Sequence, residues 1–163
     1  MNPLVLFLDF DGVVHPEPSP EKHTFKRLPL IEEVLREFET VEMVISSAWR
    51  LDYGSEEQAI EDLKGKFSLD LQPRVVGVTP TLPAFDRLDL ANGLYLFQRE
   101  AECRAWLRKN RPAWTEWVAL DDRDYLFRPF SPNLIAIDGR LGFRRMDQDR
   151  LRQVLEVKLG GKP

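Results

Sequence analysis

Cysteine, excess positive charge and long apolar runs are all scarce in this 163-residue sequence. The only cysteine, Cys103, excludes an internal disulfide framework and fits a reducing compartment. No apolar run approaches the roughly 20 residues that span a bilayer. The apolar start of the chain meets Asp9 too early for a signal peptide. We therefore expect a cytoplasmic protein without a membrane partner.

The formal net charge of −4 gives no global positive field that would attract nucleic acid or anionic lipid, although a local basic patch could still do so. With 43% hydrophobic and 31% charged residues, the composition is typical of a soluble globular protein. The length suits one hydrophobic core, so we predict a single domain over residues 1–163.

Short apolar runs alternate with amphipathic segments along the chain. The apolar runs predict buried strands at residues 4–8, 41–45, 75–78, 117–120 and 134–137, because each is too short for a buried helix. The amphipathic segments predict helices at residues 31–38, 55–63, 99–109 and 151–159, the last one ended by Gly160 and Gly161. This alternation predicts an α/β fold, a Rossmann-like three-layer sandwich around a five-stranded, mainly parallel sheet.

Two proline-containing stretches, residues 13–28 and 79–97, fit neither pattern. Both are long for loops of a compact domain, and such loops usually serve a function or move. His15 and His23 lie in the first stretch, where a histidine is more often solvated than bound to a ligand.

Acidic and hydroxyl side chains follow three of the predicted strands, at the edge where an open α/β sheet binds its ligands. They are Asp9 and Asp11 after the first strand, Ser46 and Ser47 after the second, and Asp121 and Asp122 after the fourth. Carboxylates gathered at one edge would repel each other unless a cation neutralised them. Because the available ligands are all oxygens, the pattern indicates Mg²⁺ rather than zinc.

The same residues suit phosphoryl transfer. A carboxylate can attack phosphorus and form an aspartyl-phosphate, and a second carboxylate two residues away can protonate the leaving group and later deprotonate water. Gly12 would let the chain turn sharply behind this pair. A hydroxyl such as that of Ser47 and a cation such as Arg99 would hold the phosphoryl oxygens.

The segment Asp9-Phe10-Asp11-Gly12-Val13 after an apolar strand resembles the first motif of the haloacid dehalogenase (HAD) superfamily of phosphatases and phosphotransferases. The resemblance implies that Asp9 is the nucleophile and Asp11 the general acid/base. It also implies that both bind Mg²⁺, Asp9 through its carboxylate and Asp11 through its backbone carbonyl. The strand order that it implies is 5-4-1-2-3.

The other motifs of the superfamily come in the right order. Ser47, with Ser46 as the alternative, matches the hydroxyl of the second motif, and Arg99 matches the cation of the third. Asp121-Asp122 matches the acidic pair of the fourth, with Asp122 as the first choice for the metal ligand, although the order could be reversed. The Ser-Ser-x-Trp-Arg segment is similar to small, capless members found alone or fused to RNA-repair modules in bacteria and phages.

Several of these residues have a purely structural alternative. The serines could only cap the next segment of the chain, Arg99 could be a solvated helix cation, and the acidic segment after the first strand could be only a turn. Arg50 could contact the substrate or form a salt bridge with a carboxylate. Trp49 could stack on a base or ring, and Gly12 completes the predicted substrate-binding set.

The resemblance implies a Mg²⁺-dependent phosphomonoester hydrolase. Neither insertion point of the superfamily has room for a large cap, so we expect an open site for a phosphorylated substrate, a nucleotide or a polynucleotide end. A phosphotransferase is one alternative, and the sequence does not separate it from a hydrolase. A non-catalytic binding or regulatory domain is another, against which the intact pair of Asp9 and Asp11 argues. A dehalogenase would not use the acidic metal site.

Overall fold

The computed structural model describes residues 3–83 and 91–160, and the five predicted strands form one sheet. The strands are β1 (Leu4–Leu8), β2 (Val41–Ile45), β3 (Val75–Val78), β4 (Trp117–Asp121) and β5 (Leu134–Ala136). All four pairings are parallel, and the order is β3-β2-β1-β4-β5. This is the predicted order read from the other edge, and the sheet is entirely rather than mainly parallel.

Helices cover both faces of the sheet and give the three predicted layers. They are α1 (Leu28–Glu37), α2 (Glu56–Lys64), α3 (Gln98–Asn110) and α4 (Arg145–Lys158). Alternate residues of β1 point to opposite faces. Leu4, Leu6 and Leu8 pack in the cluster that includes buried residues of α1, α2 and α4, whereas Val5 and Phe7 pack with the α3 face. Among the described helices, α3 is the one whose buried residues pack on this side of the sheet.

Element boundaries differ from the sequence prediction where polar residues take structural roles. Helix α1 begins at Leu28, because Pro29 in its first turn needs no hydrogen-bond partner for its nitrogen. Helix α4 begins at Arg145 because its first turn carries a cap instead of apolar residues: the Arg144 N–H donates to Asp147 Oδ2 at 2.9 Å. Strand β4 includes Asp121, whose carbonyl accepts the N–H of Ile137 just beyond β5 at 3.0 Å.

The stretch of residues 13–28 is attached to the core rather than free. Val13 and Val14 are fully buried, and their carbonyls accept the N–H groups of Phe143 and Arg27, each at 2.8 Å. No large cap is present in the described ranges, as predicted, although residues 84–90 of the second long loop and Gly161 lie outside them. Among the helices described, none is long and apolar enough to cross a membrane.

Candidate active site

The carboxyl ends of β1, β2 and β4 bring most of the predicted site residues together. Asp9 follows the central strand β1, and its N–H donates to the Leu120 carbonyl of β4 at 3.1 Å. On the other side, the Ser46 N–H donates to the Leu8 carbonyl at 3.0 Å. The ends of the three strands are therefore neighbours, about 4.8 Å apart from strand to strand.

Three of the predicted carboxylates form a compact cluster. Asp9, Asp121 and Asp122 each offer an oxygen atom, and these atoms all lie within 4.8 Å of one another. Burial, followed by the nearby charge of Asp9, raises the pKa of Asp121 to about 7 and the pKa of Asp122 to about 6. Unfavourable negative charge of this kind is relieved when a divalent cation binds.

Arg99 lies in the first turn of α3 and neutralises part of this charge. Its Nη1 donates to Asp121 Oδ2 at 2.9 Å and lies 3.4 Å from Asp9 Oδ1. Burial lowers the pKa of Arg99, but the charges of Asp121 and Asp9 outweigh burial and raise the pKa above its ordinary value. The side chain is only 8% exposed, so the alternative of a solvated helix cation is wrong.

Asp121 and Asp122 differ in the hydrogen bonds that their oxygens accept. Asp121 Oδ2 accepts from Arg99, and Oδ1 accepts the Arg123 N–H at 2.9 Å. Asp122 Oδ1, in contrast, is buried and has no hydrogen-bond partner in the described part of the chain. A buried carboxylate oxygen without a donor is costly unless a ligand satisfies it. Asp122 is therefore better suited than Asp121 to bind a hard cation such as Mg²⁺ directly.

Two glycines provide the space that the Asp122 carboxylate occupies. A Cβ added at Gly12 would lie 2.3 Å from Asp122 Oδ2, and one added at Gly139 would lie 2.4 Å from the same atom. Gly12 also has a φ of +74°, which glycine adopts without strain. Gly12 thus has a clear role in shaping the acidic cluster, beyond the turn that the sequence predicts.

Asp11, the predicted general acid/base, has its carboxylate outside the three-residue cluster. Its Oδ1 lies 2.9 Å from His15 Nε2, and its Oδ2 accepts a hydrogen bond from Trp49 Nε1 at 3.0 Å. The side chain is 33% exposed, so a substrate can reach it. Its predicted contact with the metal would use the backbone carbonyl, which this arrangement of the side chain leaves unaffected.

Trp49 is oriented by contacts with Asp11 and with two aromatic rings. Besides the bond from its indole N–H to Asp11, its ring makes edge contacts with Phe10 and Phe25, at centroid distances of 5.8 and 5.3 Å. Trp49 is only partly buried and these contacts do not exclude a stacked ring, so the stacking on a substrate base or ring stays a prediction. The indole N–H is the group that brings Trp49 into the site.

The two predicted serines both lie buried at the end of β2. Ser47 Oγ accepts the N–H of Trp49 at 3.3 Å and caps the short 3₁₀ segment Ala48–Asp52. This capping bond does not prevent catalysis, because a hydroxyl that accepts one bond can still donate its proton to a phosphoryl oxygen. Ser46 is the residue that continues the pairing of β2 with β1, next to Asp9. Both serines therefore stay candidates for the hydroxyl of the second motif.

Arg50 forms the salt bridge that the sequence offered as one alternative. Its Nη2 donates to Glu102 Oε2 of α3 at 2.9 Å, and both side chains are almost fully buried. Its other N–H groups donate to the backbone carbonyls of Ser46, Ser47, Thr79 and Pro80. With every guanidinium donor engaged, the predicted substrate contact of Arg50 does not fit. Arg50 instead joins the ends of β2 and β3 to helix α3.

Three residues near the site had no assigned role at the sequence level. His15 is buried rather than solvated, and only its separation of four residues from Asp11 could have indicated the contact. Gly139 follows Asp138 after the last strand, where an Asp-Gly pair at the ligand edge was a usable signal. Glu102 is an acidic residue beside the buried Cys103, which could have indicated a buried ion pair.

Comparison with protein families gives one finding for this chain. A family model described as "HAD domain in Swiss Army Knife RNA repair proteins" matches residues 5–147. Apart from Leu4 of β1, the matched range includes all five strands, and it includes every residue of the candidate site. Comparisons with curated proteins and with solved structures find no significant match.

Proposed function

Since the chain belongs to the family of HAD domains in Swiss Army Knife RNA repair proteins, we propose that it is a Mg²⁺-dependent phosphomonoester hydrolase that acts through an aspartyl-phosphate. The observation that carries the proposal is the Asp122 carboxylate, which lies beside Asp9 with a buried oxygen that no described residue satisfies. An acidic turn with only a structural role would bind its carboxylate to backbone N–H groups. The unsatisfied oxygen of Asp122 therefore supports a role for this residue as a metal ligand.

The residues of the cluster fit a magnesium ion. Asp9 and Asp122 would hold it through carboxylate oxygens and Asp11 through its backbone carbonyl, while Asp121 stays paired with Arg99. When bound, the ion would supply positive charge opposite the oxygens of the transferring phosphoryl group.

The proposed reaction has two steps, and both use Asp9 and Asp11. In the first step, Asp9 attacks phosphorus, the bond from phosphorus to the ester oxygen breaks, and Asp11 donates its proton to that oxygen. In the second step, water attacks the aspartyl-phosphate, Asp11 accepts a proton from this water, and the bond from phosphorus to Asp9 breaks. Inorganic phosphate leaves, and the Asp9 carboxylate is regenerated.

The hydrogen bonds of Asp9 indicate which of its oxygens attacks. Oδ1 accepts the N–H of Phe10 at 2.9 Å and faces Arg99, whereas no described residue donates to Oδ2. Oδ2 is therefore the better nucleophile. Arg99 stabilises the charge on the other oxygen, and a serine hydroxyl, from Ser47 or Ser46, donates to the phosphoryl group.

We propose nucleotides and, above all, the phosphorylated ends of polynucleotides as the substrate class. The printed description of the family, which concerns RNA repair, supports this class. The site supports it as well, because no large cap covers it in the described residues and the partly exposed Asp11 leaves room for a polynucleotide end. Since the net charge is −4, contacts with the polymer would be local.

A phosphatase panel tests the proposal directly. The panel should contain mononucleotides, sugar phosphates, phosphopeptides, and RNA and DNA oligonucleotides with a 5′- or 3′-phosphate, each assayed with Mg²⁺ and with EDTA. We expect release of phosphate from nucleic acid ends with Mg²⁺ and none with EDTA. Transfer to an added alcohol instead of water would identify a phosphotransferase.

The substitution Asp9→Asn tests the nucleophile. We expect it to lower turnover of the best substrate by about a thousandfold or more, because the amide cannot form the acyl phosphate. Asp149→Asn is the matched control, since it removes the same charge from a side chain on α4 that is 84% exposed. Full activity of the Asp9 variant would exclude the aspartyl-phosphate route. Absence of wild-type activity on the whole panel would favour the non-catalytic binding domain.

A further inference from the structure

Both oxygens of Asp11 are held by N–H groups that lie outside the acidic cluster. His15 Nε2 is 2.9 Å from Oδ1, and Trp49 Nε1 donates to Oδ2 at 3.0 Å. A carboxylate with one donor on each oxygen cannot rotate freely about its Cβ–Cγ bond. The orientation of Asp11 is therefore determined by these two side chains.

The backbone of Phe25 determines which nitrogen of His15 carries the proton. The Phe25 N–H donates to His15 Nδ1 at 3.3 Å, so Nδ1 must be the acceptor. In the neutral ring, Nε2 then carries the proton and donates it to Asp11 Oδ1. A proton on Nε2 is therefore consistent with both hydrogen bonds of the ring, the one accepted from Phe25 and the one donated to Asp11.

The conformation of Phe25 gives a second, independent indication. Its φ is +62°, in the left-handed region that bulky residues rarely adopt, and such strain persists only where the surroundings require it. The Phe25 ring packs edge-on against His15 and Trp49, at centroid distances of 5.6 and 5.3 Å. The strained residue thus contacts both donors that hold Asp11.

We propose that His15 and Trp49 are positioning residues for the general acid/base Asp11, and that Phe25 locks the required tautomer of His15. This inference rests on the proposed phosphatase function, in which Asp11 must face first the leaving oxygen and then the attacking water. Small misplacements of a catalytic group cost up to about a hundredfold in rate. Loss of either N–H donor should therefore slow the steps that Asp11 performs, without removing the nucleophile.

An aryl phosphate separates these steps. The leaving group of p-nitrophenyl phosphate departs as a stable phenolate without a proton, so its transfer to Asp9 does not need Asp11. Hydrolysis of the aspartyl-phosphate still requires Asp11 to accept a proton from water. A variant with a misplaced Asp11 should therefore release one nitrophenolate per enzyme in a fast burst and then turn over slowly.

Two substitutions of His15 form a matched pair. The amide nitrogen of glutamine reaches the Nε2 position and can donate to Asp11, whereas the shorter asparagine reaches only the Nδ1 position, next to Phe25. We expect His15→Asn to lower the steady-state rate about ten- to hundredfold and to retain the burst. His15→Gln should restore most of the rate. Trp49→Phe, which keeps a ring but loses the N–H, should show the same burst as His15→Asn.

His23→Asn is the control, because it makes the same change in the same loop without contact to Asp11 in the described structure. Thermal melting of each variant shows whether it is folded. The inference is overturned if the burst and the steady-state rate of His15→Asn fall together, if glutamine and asparagine have equal effects, or if His15→Asn turns over like the wild type.

A measurement without substrate tests the geometry itself. In ¹⁵N NMR spectra of the imidazole rings, His15 should show the neutral tautomer with the proton on Nε2, and Asp11→Asn should shift the Trp49 indole signal. The opposite tautomer would overturn the inference.

The proposed function is tested separately, and it fails if wild-type turnover is absent or if Asp9→Asn remains active. With an active wild type and an inactive Asp9 variant, a normal His15→Asn rejects only the positioning role.

Discussion

Gly12 and Gly139 leave space for the Asp122 carboxylate because neither has a side chain. Each lies so close to Asp122 Oδ2 that an added Cβ would have to displace the carboxylate. They are not equivalent as targets, because Gly12 also has a positive φ, whereas Gly139 does not. Alanine at Gly139 therefore tests the available space without backbone strain.

Gly139→Ala should weaken Mg²⁺ binding by about tenfold or more, the usual effect of disturbing the residues that orient a metal ligand. The measurement is a Mg²⁺ titration of phosphatase activity and of the melting temperature. Gly54→Ala is the control, since its added Cβ would meet only Gln58 Oε1, at 3.4 Å. Unchanged Mg²⁺ affinity in the Gly139 variant would mean that Asp122 does not bind the ion.

Helix α3 is attached to the carboxyl edge of the sheet by buried charges. Arg99 pairs with Asp121 of β4, and Glu102 pairs with Arg50 in the 3₁₀ segment that follows β2. Buried pairs of this kind add little net stability over apolar residues, yet removing one partner leaves the other charge unpaired. The helix is thus kept in position relative to β2 and β4, two of the three strands that carry the site.

Glu102→Gln should lower the free energy of unfolding by about 3 kcal/mol, because the Arg50 guanidinium would stay buried without a counter-charge. Urea denaturation measures this change. Glu37→Gln is the control, since Glu37 pairs with Arg152 at the surface, where the loss of a pair has little effect. Equal effects of the two substitutions would show that the buried pair has no special role.

The carboxylate cluster should also affect the stability of the whole molecule. The pKa values of Asp121 and Asp122, about 7 and about 6, both exceed the value of about 4 for an unfolded aspartate. Between pH 4 and 7 the folded state therefore binds more protons than the unfolded state. The stability of the metal-free protein must then fall as the pH rises through this window.

Thermal melting in EDTA between pH 5 and 8 measures this dependence. We expect the melting temperature to decrease as the pH rises, and Mg²⁺ to raise it most at pH 8, where the carboxylates are charged. The Asp122→Asn variant should show a smaller decrease and a smaller response to Mg²⁺. A melting temperature that rises towards pH 7 in EDTA would contradict the proposed repulsion.

The sequence patterns were sufficient to predict the strands and the residues at their carboxyl ends, and the resemblance to the HAD superfamily implied the strand order. Apolar runs and the spacing of Asp9, Asp11 and the Asp121–Asp122 pair are local signals, and parallel topology converts them into proximity. Side-chain contacts that depend on tertiary packing could not be predicted from such local signals. The position of Trp49 beside Asp11, for example, depends on the path of the 13–28 loop. No local sequence pattern predicts that path.

Strand β1 lies at the centre of the sheet, between β2 and β4. The acidic cluster at its end therefore combines residues that are translated at different times. Asp9 is translated before its carboxylate neighbours and Gly139, which follow more than a hundred residues later. A nascent chain that ends before β4 lacks Asp121 and Asp122, two of the three carboxylates of the cluster. The three-carboxylate cluster can therefore form only after Asp121 and Asp122 have been translated.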